Sequence, residues 1–168
     1  VDYEFIVTCN SVREDVRQNV FEVAGRFDAQ VLFTVDEGAS DCYYAAEIAA
    51  KRARGDWLCF PSEDSYYVPY FADRMSVWTA EWDFIYCDML YTSKWTEPVA
   101  WTYSVMDVRP VRQHIDKTCF MLRRELFEVF PGKRDGAPCE ADGELAEELV
   151  SRGVRHGKAH GGALVVHN

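Results

Sequence analysis

Residues 54–69, RGDWLCFPSEDSYYVP, decide how this chain is read. The run Trp57-Leu58-Cys59-Phe60 is short and apolar, bounded by Gly55 before it and Pro61 after it, as a buried strand is. Two adjacent carboxylates, Glu63 and Asp64, stand at its tip. Charges after a strand are commonly a solvated turn. The same side chains are also oxygen ligands of the kind that hold Mg²⁺ or Mn²⁺.

The segments around this strand decide between the two. Residues 4–8 (EFIVT) form a short apolar strand, and Val12, Val16, Val20, Val23 and Phe27 recur at helical spacing behind Ser11 as a cap. Residues 30–35 (QVLFTV) read as a second strand that stops at Asp36-Glu37-Gly38. An alanine-rich helix over 43–54 is closed by Gly55. After the WLCF strand come a helix over 70–82 and a strand over 83–89 (DFIYCDM). The alternation of strand and helix predicts an α/β fold with a mostly parallel sheet and helices on its faces. The second half is less regular. Residues 94–108 suggest strands or a hairpin, 118–122 a strand running into a short helix over 123–130, and 131–139 a loop. A helix over 142–152 and a strand over 163–167 complete the pattern. No repeat or linker is visible, so one domain over 1–168 is expected.

In open parallel sheets, ligands bind outside the carboxyl ends of the strands. The first three strands end at Thr8-Cys9-Asn10, at Asp36-Glu37 and at Ser62-Glu63-Asp64, so polar and acidic side chains gather at one edge. Neither G-x-G-x-x-G nor a P-loop lysine motif is present, which argues against a dinucleotide or P-loop site. A phosphate-bearing ligand without a glycine cradle calls for a metal held by carboxylates.

Composition narrows the partners. The 168 residues carry 28 acidic and 18 basic side chains, a formal net charge of −10, with no Lys/Arg-rich run. Nucleic acid and anionic membrane surfaces are thereby disfavoured, while a bound divalent cation can supply the positive charge a phosphate needs. There is no apolar run long enough to span a membrane and no signal segment. Val1 directly precedes a strand-like pattern, and any initiator or leader is expected to have been removed. The six cysteines are far apart, without a C-x-x-C pair, and most lie in apolar segments. They read as reduced thiols of a cytoplasmic protein rather than a zinc site, although an even count also permits disulfides.

Taken in order, the motifs resemble those of the inverting family 2 glycosyltransferases of the GT-A fold, over nearly the whole chain. Thr8-Cys9-Asn10 is similar to that family's "TYN", and residues 35–41 (VDEGASD) to its "VDDGSTD". Residues 53–57 and 60–69 resemble "ARGDY" and "FLDSDD…P", and Ile85-Tyr86-Cys87-Asp88 resembles "VYGD". Residues 120–128 (FMLRRELFE) resemble "FLFRRELFE", and Ala141-Asp142-Gly143-Glu144-Leu145 the "ED-x-x-L" helix start.

The resemblance implies a Rossmann-like GT-A domain with a nucleotide-sugar half over 1–90 and an acceptor half over 91–168. It implies a metal-dependent transfer from a nucleotide-diphosphate sugar, a UDP-sugar, to a carbohydrate or other hydroxyl with inversion. Thr8, Asn10, Asp36, Ser62 and Glu63 would line the nucleotide sugar, with Asp36 accepting from the nucleobase. Asp64 and His167 would hold Mn²⁺ or Mg²⁺, and Asp142 would be the base.

The chain departs from the family pattern at four places. Ser62 stands for the first metal-motif Asp, Cys9 for an aromatic, Ala46-Glu47 for "RN", and Ala141 for the Glu beside the base. Ser62, Ala46 and Ala141 support a rival reading, a catalytically weak nucleotide-sugar-binding protein, and a protein-interaction module on the same sheet is the rival from a different class. From the residues alone, Asp142 is also a natural helix cap, Asp36 an acidic turn, and His167 a terminal residue. His114, His156 and His160 read as surface residues, and the aromatics of 91–103 as core or as an acceptor-sugar lining.

Overall fold

A computed structural model describes residues 2–37, 41–91, 104–131 and 140–167. Strand β1 (Ile6–Cys9) leads into helix α1 (Glu14–Gly25) and strand β2 (Gln30–Phe33), followed by a 3-10 turn (Thr34–Glu37). Helix α2 (Cys42–Arg52), β3 (Trp57–Cys59), β4 (Ser65–Tyr67), helix α3 (Phe71–Ser76), β5 (Phe84–Tyr86) and β6 (Met89–Tyr91) follow. The second half contributes β7 (Ser104–Met106), a 3-10 turn (Lys117–Cys119), β8 (Phe120–Arg123) and another 3-10 turn (Arg124–Leu126). Helix α4 (Ala141–Ser151), β9 (His156–Lys158) and β10 (Val165–His167) complete it.

Local chemistry sets the boundaries. Asp41 caps α2 by accepting from Tyr43 N and Tyr44 N, both at 2.9 Å, and Lys51 and Arg52 complement the dipole at its far end. Helix α1 begins later than its apolar pattern predicts. Its N-cap is Arg13 with no side-chain cap, and Ser11 instead accepts from Arg13 N at 3.1 Å. Within α1 only Ala24 is buried. Val23 and Phe27 stay exposed and, with Phe5, Val7 and Val20, line an open apolar groove. The helix expected over 70–82 is reduced to α3, because Tyr70 takes a left-handed backbone (φ 63°) and turns succeed Val77. Of the strands expected over 94–108 only β7 is seen; residues 92–103, and 132–139 of the expected loop, lie outside the described residues.

The fold is α/β, but the expected single, mostly parallel sheet is replaced by three sheets among the described residues. The pair β1-β2 is parallel. The order β4-β10-β6-β7 mixes directions, with β10 antiparallel to β4 and parallel to β6. The order β3-β8-β5-β9 does so too, because β8 enters between β3 and β5 and runs against both. A short apolar run reveals that a strand is buried and says nothing of its direction, so the sequence pattern could not forbid this insertion. Strand β9, His156-Gly157-Lys158, carries no apolar side chain and was not foreseen. It pairs with β5, and the Trp82 indole lies over Gly157 where any Cβ would collide with it.

The core runs through these two mixed sheets. Phe84, Ile85, Phe120, Leu122, Leu149 and Val165 have no more than trace exposure. Cys9, Cys87 and Cys119 are buried thiols, and burial pushes Cys87 up to about 12, which keeps it protonated.

Candidate functional site

Strand β3 delivers the acidic tip much as its sequence implies. Phe60 is buried and anchors the exit from β3, after which Ser62 and Asp64 are half-buried and Glu63 is exposed. The Ser62 hydroxyl donates to Asp64 Oδ1, and its Oγ lies 3.1 Å from Ser65 Oγ. Ser65 Oγ is in turn 2.9 Å from His167 Nδ1, and that nitrogen lies 3.6 Å from Asp64 Oδ1. His167 arrives because β10 pairs with β4 in a register that sets it opposite Ser65. Ser62, Asp64 and His167 are thus brought together, joined by Ser65, which lay next to the acidic pair without being singled out.

Among the described residues, no group of three or more His, Cys, Asp or Glu side chains is gathered around one point. One carboxylate and one imidazole do not make an all-protein cage. The Asp64 carboxylate fits a small hard cation of the Mg²⁺ or Mn²⁺ type, which is commonly held by one or two carboxylates and completed by substrate phosphates and water. The His167 imidazole is the softer ligand beside it.

Asp142 forms a second group. It is the second residue of α4 and is buried, with 7% of its surface exposed. Its Oδ2 accepts from Lys117 N at 3.1 Å and its Oδ1 from Gly143 N at 2.9 Å. Burial first, and the charge of Asp116 second, raise its pKa above the ordinary 3.8, while the two backbone N–H groups and Lys117 oppose the rise. Asp116 itself accepts from Thr118 N at 2.8 Å and from the Thr118 hydroxyl at 2.6 Å. Tyr67 of β4 donates its hydroxyl to Thr118 O at 2.9 Å, tying the strand that bears Ser65 to the turn that holds Asp142. Glu144, the nearest other carboxylate on α4, lies 3.3 Å from Nη1 of Arg112.

Gly143 fixes how α4 starts. A Cβ there would come 2.6 Å from Arg112 Cα, so α4 and the backbone at Arg112 meet without a side chain between them. Gly143→Ala is therefore expected to destabilise the fold. Overpacking of this kind costs about 1–3 kcal/mol, against the roughly 1 kcal/mol that alanine gains over glycine in a helix. Thermal melting checks it, and a melting point equal to or above the wild type would show that the Arg112 segment yields freely.

The remaining expected residues stand on other elements. Thr8 is half-buried on β1, level with Leu32 of β2, and Asn10 is exposed just beyond the strand. Asp36 sits in the 3-10 turn after β2 and is held by Arg17 of α1 through both carboxylate oxygens. Nothing in the spacing of the two residues marked Arg17 in advance. Glu47 is buried and accepts from Phe130 N at 2.7 Å, so it serves the core. Asp88 is also structural: Lys158 Nζ lies 2.7 Å from its Oδ1 and Val108 N donates to the same oxygen at 3.1 Å. His156 is half-buried and stacked on Tyr86, not a plain surface residue.

No family model and no curated protein matches the sequence. A solved structure does share the fold: S. aureus TarS, residues 1–349, a glycosyltransferase of GT-A-like fold, superposes with a TM-score of 0.67 at 13% identity. The match covers 98% of this chain and 51% of that one, so the chain spans about half the length of the structure it resembles. No described helix is long and apolar enough to cross a membrane.

Proposed function

We propose that this glycosyltransferase-like domain transfers a sugar from a nucleotide-diphosphate donor, a UDP-sugar, to a carbohydrate or other hydroxyl acceptor with inversion. The observation that supports it best is the strand-tip cluster of Ser62, Asp64, Ser65 and His167. It joins residues 102 apart in sequence, on a fold shared over almost the full chain with a glycosyltransferase. In this reading residues 1–90 bind the donor and residues 91–168 serve the acceptor. The buried cysteines fit the reduced thiols of a cytoplasmic protein.

Each group has a task that follows from its surroundings. Asp64 and His167 would hold Mn²⁺ or Mg²⁺. The cation, when bound, supplies the positive charge that a departing nucleoside diphosphate requires. Ser62 and Ser65 orient the Asp64 carboxylate and the His167 ring through the bonds described above, and Glu63, exposed beside them, faces the donor's polar surface. Asp36 accepts from the nucleobase, with Thr8 and Asn10 at the neighbouring strand end. Asp142 takes the proton of the acceptor hydroxyl as that oxygen attacks the anomeric carbon. Burial raises its proton affinity, and the N–H groups of Lys117 and Gly143 fix its orientation.

The test is calorimetry of UDP binding, with and without Mn²⁺, on the wild type and Asp64→Ala. Binding is expected to need the cation in the wild type and to fall by at least roughly tenfold in the variant, the loss of one charged ligand contact. Equal affinity in all four titrations would remove Asp64 and the cation from the reading. A catalytically weak nucleotide-sugar binder is the second reading. It is favoured by Ala46-Glu47 at the family's "RN", where alanine stands for the cation and Glu47 is a buried carboxylate that accepts from Phe130 N. Donor hydrolysis or transfer above background separates the two.

A further inference from the structure

Asp36 is not a bare acceptor. Arg17 reaches from α1 to grip it, with Nη1 3.3 Å from Oδ1 and Nη2 in close contact with Oδ2. The guanidinium carbon also lies 4.1 Å from the centroid of the Phe33 ring, at the end of β2. The Arg17 side chain is 23% exposed and that of Asp36 is 56% exposed, so the pair is packed on one side and open on the other. Close by, Thr34 is fully buried and its hydroxyl has no hydrogen-bond partner among the described residues.

A forked ion pair of this kind leaves hydrogen-bonding capacity on both members. A carboxylate offers about four lone-pair sites and a guanidinium five N–H donors, of which the pairing uses two of each. The open side of the pair therefore presents an acceptor and a donor side by side, held in a fixed order by the fork and by the Phe33 ring beneath. We propose that Arg17 is a specificity-determining residue of the donor site, selecting nucleobases whose edge carries a ring N–H beside a carbonyl. This rests on the reading that Asp36 meets the nucleobase.

The chemistry separates bases into two classes. Uracil, thymine and guanine have a ring N–H next to a carbonyl oxygen. The N–H donates to Asp36 and the carbonyl accepts from Arg17. Cytosine and adenine have a ring nitrogen lone pair next to an exocyclic amino group. In the same register the lone pair faces the carboxylate and the amino group faces the guanidinium, so both contacts are mismatched. They pair only by sliding about one ring position along the ion pair. Asp36 alone would lack this selectivity, since a solvated carboxylate accepts from a ring N–H and from an amino group alike.

Calorimetry with UDP, GDP, CDP and ADP in the presence of Mn²⁺, on the wild type, Arg17→Ala and Arg17→Lys, tests this. The wild type is expected to favour UDP and GDP over CDP and ADP by roughly tenfold, the scale of an unpaired polar contact. Arg17→Ala should bring that ratio close to one, mainly by weakening UDP and GDP. Arg17→Lys keeps the charge without the fork and should resemble alanine more than the wild type. Melting temperature should fall only slightly in Arg17→Ala, from the lost packing on Phe33 and the loss of an ion pair whose carboxylate is largely in water. A base preference unchanged in Arg17→Ala would make Arg17 a bystander while leaving the nucleotide reading intact. Tighter binding of all four nucleotides in that variant would mean that the guanidinium obstructs the base, which also overturns the proposal. A wild type that binds the four equally overturns it as well. Absence of binding by any nucleotide to any variant would overturn the functional reading, and this inference with it.

Discussion

Asp142→Asn is expected to lower sugar transfer by about 10²–10⁴-fold while nucleotide binding stays at the wild-type level. The amide keeps the shape of the side chain and one carbonyl acceptor, enough to retain the bond from Lys117 N or from Gly143 N but not both. The N–H left unpaired costs about 1–3 kcal/mol, partly offset because the amide carries no buried charge. The pH dependence carries its own sign. Burial raises the folded-state pKa of Asp142 above 3.8, so between 3.8 and that raised value the folded chain binds more protons here than the unfolded one. Asp142 therefore detracts from stability fully above the raised value, and the penalty fades as pH falls through it toward 3.8. A base works only when deprotonated, so the acidic limb of kcat/KM should lie above 3.8 in the wild type and flatten in the variant. A variant with full transfer activity and a lowered melting point would make Asp142 a structural residue of the helix start.

Phe120→Ala should cost about 3–5 kcal/mol, the range for truncating a buried aromatic. Phe120 opens β8, the strand lodged between β3 and β5, and is fully buried. Its ring centroid lies 5.4 Å from Phe84 and 6.0 Å from Phe60. Phe60 in turn meets Phe127 at 5.1 Å and Phe130 at 5.2 Å, so one deletion loosens an aromatic cluster drawn from four parts of the chain. Domains of this kind are stable by only about 5–15 kcal/mol, so a large share of the total is at stake. Chemical denaturation measures it, with Phe120→Leu as the milder partner. A loss below about 1 kcal/mol would show that the surroundings collapse into the space without cost. Because Phe60 stands two residues before Ser62, the alanine variant should also blur the strand tip.

What the sequence disclosed follows from which interactions are local. Helices α2 and α4 were legible because alanine content, acidic residues at their starts and apolar spacing act within a turn or two. Strand β3 was legible because its apolar run is closed by Gly55 and Pro61. Helix α1 was legible as a helix, yet its stripe misled, since Val23 and Phe27 face a groove and not the core. Strands β4 and β9 were missed: the first is polar and aromatic, and the second depends on Trp82 lying over Gly157, a contact no local pattern records. At the candidate site, the meeting of Asp64 with His167 followed from the family resemblance and is seen as a contact at 3.6 Å. The grip of Arg17 on Asp36 and the bond from Lys117 N to Asp142 are tertiary, and neither partner carries a mark of it in its own neighbourhood.

Strand β10 has a consequence for how the protein comes to exist. It occupies the slot between β4 and β6, and both neighbours leave the ribosome well before it does. Until Val165, Val166 and His167 emerge, β4 and β6 expose bare edges, the kind of surface that recruits other chains. Closing the slot means bringing together residues 102 positions apart, an entropically slow step that local helix formation does not hasten. The strand tip that carries Asp64 and Ser65 therefore remains unfinished on a nascent chain, however well its surroundings have folded. A message cut short before Val165 would yield a protein that is adhesive and lacks His167 at the same time.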